Sequence, residues 1–224
     1  MPQEALTTTK IDPKAAEKLI ELFKSQEEFK AMMNDYRCAM MEIETKLKVL
    51  NENLSLSQKR NPIETIKCRL KSPKSILEKL WRKGLPLTIE NIRNEVCDIA
   101  GVRVICAFPE DVYLLANYLL MQDDIRLIRA KDYIKKPKDS GYRSLHLIIG
   151  IPIFLPEEKR EIKVEIQLRT IAMDFWASLE HKMKYKKDLP NAEEIAKELK
   201  KCAEKIAQLD QSMQAINNKI EKRD

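Results

Sequence analysis

Residues 162–169 alternate without a break. Ile162, Val164, Ile166 and Leu168 fall on one side, and Lys163, Glu165, Gln167 and Arg169 on the other. A period of two marks a β-strand with one apolar face. Such a strand needs neighbours in a sheet and a cover for its apolar side. If it is an edge strand, its polar face is simply solvated. If it is central, the same face turns a carboxylate, an amide and a guanidinium into a cleft.

The surrounding chain interleaves strands and helices. Residues 63–70 read as a strand, and residues 73–83 as a helix ending at Gly84. Residues 102–108, rich in β-branched side chains, read as a buried strand. Pro109 and Asp111 open a helix to about Leu120. Residues 125–130 form a short strand and residues 142–153 a longer one, with a charged turn at 156–160 before the alternating stretch. Thr170 then starts a helix to about Lys184. Upstream, Phe29, Met32, Tyr36, Met40, Ile43, Leu47 and Leu50 recur three and four apart, the spacing of an amphipathic helix. Residues 51–62 read as a polar break after it, and residues 1–13 as a loose start. Past Pro190, Ile195, Leu199, Cys202, Ile206, Leu209, Met213, Ile216 and Ile220 make a heptad seam. That seam suits packing on the body or on another subunit equally. The expected fold is α+β: a mixed five-stranded sheet flanked by helices, with N- and C-terminal helical extensions. Residues 1–59 and 188–224 would be the extensions and residues 60–187 the central domain.

Composition narrows the function. With 224 residues and 44% hydrophobic content, a sizeable core is expected. Charged residues make up 34%, and no apolar run nears the roughly 20 residues of a membrane span. No signal-peptide pattern stands at the start. Five cysteines, an odd number without CxxC spacing, point to reduced thiols in a cytoplasmic protein rather than to disulfides or zinc. The net charge of +6 implies an anionic partner. Nucleotide phosphates, RNA and an anionic membrane face all fit it.

Four stretches carry chemistry. Residues 131–146 place Lys131, Lys135, Lys136, Lys138 and Arg143 around Pro137 and Gly141, with Tyr142, Ser144 and His146 on one face of the strand that follows. Cations beside an exposed aromatic suit a purine nucleotide; a solvated basic loop is the plain alternative. Glu165, Gln167 and Arg169 form the polar face described above. Asp98 precedes a buried strand bearing Arg103, and two acids on neighbouring strands suit Mg²⁺ on polyphosphate oxygens. The alternative is that Asp98 caps a turn and pairs with Arg103. Finally, Arg69 and Lys71 end a strand, and Ser75, Lys79 and Arg82 share a helix face, a phosphate cradle or only a basic polar face.

Taken together these residues resemble the synthetase domain of the RelA/SpoT family. The carriers are Arg69, Lys71 and Ser75; the run Asp98-Ile-Ala-Gly-Val-Arg103; Lys131-Asp-Tyr-Ile with Lys138 and Gly-Tyr142-Arg-Ser-Leu-His146; and Glu165-Ile-Gln-Leu-Arg-Thr followed by Phe-Trp-Ala-Ser-Leu-Glu-His181. Lacking further domains, the chain resembles the small alarmone synthetases of the RelQ/RelP type. The resemblance implies a nucleotidyltransferase-like fold. It also implies transfer of the β,γ-pyrophosphate of ATP to the 3′-hydroxyl of GTP or GDP, giving AMP and pppGpp or ppGpp.

Roles follow by position. Asp98 and Glu165 would hold Mg²⁺, with Glu165 also able to accept the 3′-hydroxyl proton. Arg69 and Arg103 would sandwich adenine, and Lys71, Ser75, Lys79 and Arg82 would bind ATP phosphates. Tyr142 would stack on guanine, with Lys131, Lys138, Ser144, His146 and Gln167 serving the rest of the acceptor. Asp174 and Ala177 would face the guanine edge. Relatives form homotetramers, so a homotetramer is expected, with RNA as a further candidate regulator. Two positions depart from the family pattern. Lys131 stands where many relatives carry arginine, giving a point charge instead of a bidentate grip. Asp174 stands where many carry asparagine; it can accept from guanine N1 and N2 but cannot donate to O6.

Other readings make different demands. Alarmone hydrolysis in long relatives uses a His-Asp metal site, but this chain has two histidines, His146 and His181, and no His-Asp pair. Plain nucleotidyl transfer would release free pyrophosphate instead of AMP. An RNA-binding module would show steep salt dependence without turnover.

Overall fold

The computed structural model describes residues 20, 26–58, 60–184 and 191–221. The expected loose start at residues 1–13 lies outside them. The helices are α1 (Glu27–Gln58), α2 (Pro73–Arg82), α3 (Ile89–Glu95), α4 (Pro109–Leu120), α5 (Ile171–Lys184) and α6 (Ala192–Glu221). The strands are β1 (Ile63–Leu70), β2 (Ala100–Cys106), β3 (Arg126–Asp132), β4 (Leu145–Phe154) and β5 (Lys159–Thr170). The chain divides into two compact units, Met1–Asn34 with Lys71–Val96, and Asp35–Leu70 with Cys97–Asp224.

The larger unit holds the sheet, in the order β1-β2-β5-β4-β3. Only β2 and β5 run parallel; the other neighbours are antiparallel. The alternating strand β5 is therefore central, not an edge. Its apolar residues Val164, Ile166 and Leu168 are sealed from solvent, as are Val104 on β2 and Ile149 on β4. Helix α4 buries Val112, Leu115, Ala116 and Leu119 and packs on β2 and β5. Arg60 ties the unit together. Its two terminal nitrogens donate to Asp111 at 2.8 Å each, and its Nε donates to Glu221 at 2.9 Å.

In the smaller unit, Ser72 caps α2 by accepting from the Ser75 amide, with Pro73 as the first helical residue. Ile76, Leu77 and Leu80 form its buried face. The helix ends at the expected glycine: Gly84 adopts φ +68°, and the amides of Gly84 and Leu85 donate to the carbonyls of Trp81 and Leu80.

Three expectations need correction. The polar break at 51–62 is helical through Gln58, because Leu54 continues the buried row of Ile43 and Leu47. Asn51 there accepts the amide of Ile63 and so fixes the start of β1. A short helix, α3, was not expected; Thr88 caps it, and of its side chains only Ile92 is buried. Strand β4 begins at Leu145, so Tyr142 and Ser144 belong to the loop before it.

Helix α6 resolves the heptad seam. Leu199, Ala203, Ile206, Asp210 and Gln214 face the body, while Leu209, Met213, Ile216 and Ile220 stay half exposed or more. The inward set follows the 3.6-residue period of a straight helix. A seven-residue seam drifts about 20° per heptad against that period. Its C-terminal half has therefore rotated away from the body.

Candidate active site

Strand register assembles the polar face. Arg69, Gly101, Glu165 and Ile148 lie opposite one another on β1, β2, β5 and β4. Two residues along, Lys67, Arg103, Gln167, His146 and Lys131 form the next row across all five strands. Gly101 contributes no side chain, which leaves room beside Glu165. Asp98 sits half-buried in the turn before β2, and its charge is felt at Glu165.

The Glu165 carboxylate is held by two side chains. Its Oε1 meets His146 Nδ1 at 3.2 Å and its Oε2 accepts from Gln167 Nε2 at 2.8 Å. Burial pushes this carboxyl up, but the hydrogen bonds from His146 and Gln167 outweigh it. Even against repulsion by Asp98, the group sits below the ordinary carboxylate range. It is therefore ionised at neutral pH and can accept a proton.

The basic loop 133–144 is tightly organised. Asp132 Oδ1 accepts the amides of Ile134 (2.9 Å) and Lys135 (3.0 Å), an Asx-type turn at the end of β3. Asp132 also receives the Tyr113 hydroxyl at 3.1 Å, and burial followed by that bond pushes the phenol up to about 12. Arg143 donates to the Ile134 carbonyl at 2.8 Å. Gly141 takes φ +90° at the loop's turn. Tyr142 is half-buried, with Lys138 Nζ 4.9 Å from its ring centre, and Tyr133 and His146 meet it edge-on at 6.0 and 5.8 Å. Its hydroxyl lies 2.9 Å from His146 Nε2.

The other acceptor-side residues differ in their surroundings. Lys131, at the end of β3, and Lys138, within the loop, are exposed. Ser144 is wholly buried, donating to the Leu168 carbonyl at 3.2 Å. Ala177 is buried with Trp176 and Ala203, against which Tyr142, Leu199 and Ile206 pack. Asp174 Oδ1 accepts from Arg169 at 3.2 Å and from Arg103 at 3.4 Å. The ATP-side residues divide between the units. Arg69 and Arg103 belong to the sheet, while Lys71, Ser75, Lys79 and Arg82 belong to the smaller unit, the last three along one face of α2.

The role of Asp132 and the contacts of Arg169 were not anticipated from the sequence. Asp132 builds the loop, and Arg169 reaches Tyr142, Gln167, Ser144 and Asp174 at once. The alternation put Arg169 on the polar face, but only three-dimensional register reveals its partners.

Residues 68–189 match the model of the region found in RelA/SpoT proteins. The chain belongs to the RelA/SpoT family. The GTP pyrophosphokinase YwaC of Bacillus subtilis is 43% identical over 195 residues, covering 87% of this chain and 93% of the relative. The small alarmone synthetase 1 of the same organism, solved bound to its product pppGpp, superposes with a TM-score of 0.78 at 33% identity, covering 87% of this chain and 99% of that one. The same synthetase bound to AMPCPP gives 0.72 at 31% identity over 88% and 100% of the two chains. Near-complete coverage on both sides places this chain among the small alarmone synthetases. Among the described residues, no helix is long and apolar enough to cross a membrane.

Proposed function

We propose that this chain is a GTP pyrophosphokinase. It transfers the β,γ-pyrophosphate of ATP to the 3′-hydroxyl of GTP or GDP. The acceptor O3′ forms a bond to the β-phosphorus of ATP, the bond from that phosphorus to the α,β-bridging oxygen breaks, and AMP leaves as pppGpp or ppGpp forms. The observation that carries this reading is Glu165: an ionised carboxylate in the middle of the polar sheet face, oriented by His146 and Gln167. A sugar hydroxyl is a weak nucleophile, and a fixed carboxylate within hydrogen-bond reach takes its proton as the bond forms.

Cations account for the remaining charge. Attack on a β-phosphate gathers negative charge on the transferring group, which fixed positive groups stabilise. Arg69 and Arg103 are assigned to the adenine side. The Nε of Arg103 is buried and has no hydrogen-bond partner, a donor left for a ligand. Lys71, Ser75, Lys79 and Arg82 are assigned to ATP phosphates. Guanine stacks on Tyr142 and displaces the Lys138 ammonium from that ring toward the acceptor phosphates, joined by Lys131.

Asp98 and Glu165 fit Mg²⁺. Among the described residues no cluster of three or more His, Cys, Asp or Glu could hold a metal ion. Two carboxylates are nonetheless what Mg²⁺ takes from a protein when polyphosphate and water supply the rest. The ion supplies charge neutralisation on the phosphate oxygens. Repulsion between the two acids gives a cation a reason to sit there.

ATP and GTP as substrates support a cytoplasmic setting. The half-exposed stripe of Leu209, Met213, Ile216 and Ile220 on α6 supports contact with another copy of the chain, as a homotetramer requires.

Incubation of the protein with ATP, GTP and Mg²⁺, followed by anion-exchange chromatography, tests the reaction. AMP and pppGpp are expected in equal amounts. Free pyrophosphate in place of AMP would mean attack at the α-phosphate. Glu165→Ala abolishes product formation while keeping the fold; normal turnover in that variant removes Glu165 from its role.

A further inference from the structure

Arg169 is among the most buried charges of the chain, with its side chain 5% exposed. Every nitrogen of its guanidinium is engaged. Nε donates to Ser144 Oγ at 3.4 Å and Nη1 to Asp174 Oδ1 at 3.2 Å. Nη2 donates to Gln167 Oε1 at 3.0 Å and to the Tyr142 hydroxyl. The guanidinium carbon also lies 5.0 Å from the centre of the Tyr142 ring.

Two arms run from this group to the same carboxylate. In one, Gln167 passes from Arg169 to Glu165 Oε2, at 3.0 and 2.8 Å. In the other, Tyr142 meets His146 Nε2 at 2.9 Å and His146 Nδ1 meets Glu165 Oε1 at 3.2 Å. Five side chains close one ring. Its direction is set by chemistry. Arginine can only donate, and an ionised carboxylate can only accept. The Tyr142 oxygen, accepting from Arg169, gives its own hydrogen to His146 Nε2. A neutral His146 then carries its proton on Nδ1 and donates it to Glu165.

We propose that Arg169 is a positioning residue: it locks Tyr142 and Gln167, and through Gln167 and His146 the Glu165 carboxylate, into one frame that aligns the acceptor's base with its attacking hydroxyl. This rests on Tyr142 as the guanine platform and Glu165 as the proton acceptor. The frame makes stacking and deprotonation parts of one geometry. A guanine seated on Tyr142 puts its ribose at a fixed offset from Glu165, and a small loss of that offset is expensive in rate.

Arg169→Lys and Tyr142→Phe test the frame. A lysine ammonium cannot span the acceptors that the guanidinium fork reaches together. Tyr142→Phe keeps the stacking ring and deletes only the hydroxyl. Both variants are expected to lose about tenfold or more in kcat, with KM for GTP changed less than about threefold and KM for ATP unchanged. A residue that merely supported the fold would instead lower Tm with kcat per folded molecule intact. Should Arg169→Lys fail to fold, Tyr142→Phe decides alone.

A second readout needs no turnover. The chain has two histidines, so ¹⁵N-histidine labelling yields two ring systems, and His181→Gln assigns them. His146 is expected as the Nδ1–H tautomer in the wild type, shifting toward Nε2–H in Tyr142→Phe. An Nε2–H or doubly protonated His146 in the wild type overturns the frame, as does Tyr142→Phe with wild-type kcat. If the wild type makes no pppGpp, the functional reading fails, while the tautomer still decides the frame.

Discussion

Tyr142 uses its ring and its hydroxyl for different purposes. The ring face, beside Lys138, is the platform assigned to guanine; the hydroxyl belongs to the ring of hydrogen bonds around Arg169. Removing the whole side chain should therefore look unlike removing the oxygen. Stacking of a base on an aromatic contributes about 1–3 kcal/mol. Tyr142→Ala is accordingly expected to raise KM for GTP by about tenfold or more, with KM for ATP nearly unchanged, in steady-state assays varying one nucleotide at a time. Equal rises for both nucleotides would remove guanine stacking from Tyr142. At this scale much of the candidate site was legible. Alternation placed Glu165 and Gln167 on one face, and the register confirms that they share it with His146 and Arg103. The role of Arg169 was not legible, because it depends on a loop residue, a strand neighbour and a helix residue meeting in space. No local spacing encodes that meeting.

Elements were read best where capping chemistry is strong. Strand β1 and helix α4 have the expected limits, the latter set by Pro109 and by Asp111, whose carboxylate accepts the Phe108 amide at 3.1 Å. They were read worst at the end of α1, where packing decides, and in α3, a seven-residue helix capped by Thr88 whose single buried side chain, Ile92, is too little to show a period. The basic loop is an intermediate case. Its glycine was expected to make a turn, but part of the reason only glycine fits is tertiary. A Cβ on Gly141 would stand 2.5 Å from the Cβ of Ala203 on α6, at a φ of +90° that other residues rarely adopt. Gly141→Ala thus combines a left-handed penalty of about 1–2 kcal/mol with an overpacking cost of about 1–3 kcal/mol. Urea unfolding is expected to show a loss in that combined range, with a rise in KM for GTP as the Tyr142 loop shifts. Adding Ala203→Gly should recover the steric part and leave the backbone part. No recovery at all would mean that the loop does not rest on α6.

At the scale of the whole molecule, α6 has two faces with opposite tasks. Its inner face is unusually polar for a docked helix. Asp210 accepts from Thr170 Oγ1 at 2.6 Å, and Gln214 Oε1 accepts the Glu110 amide at 3.0 Å. Its outer face keeps Leu209 at 61% exposure and Ile220 at 59%, with Met213 and Ile216 near half. A helix that only covered its own body would place these the other way round, because apolar burial is the larger driving force, about 25 cal/mol per Å². The inversion is explained if the outer stripe is buried by another copy of the chain. Ile216→Lys separates the two cases. A lysine on an exposed helix surface changes monomer stability by less than about 0.5 kcal/mol. In an apolar seam between copies it must be desolvated, and assembly is opposed. Light scattering at micromolar protein is expected to give a tetramer mass for the wild type and a smaller species for Ile216→Lys, with the same Tm-independent secondary structure by circular dichroism. A wild-type monomer, or an unchanged mass in the variant, would leave the stripe without a partner of its own kind. The stripe lies on the same helix as Ala203, beside which Gly141 stands, so a subunit contact there would bear on the helix that supports the acceptor loop.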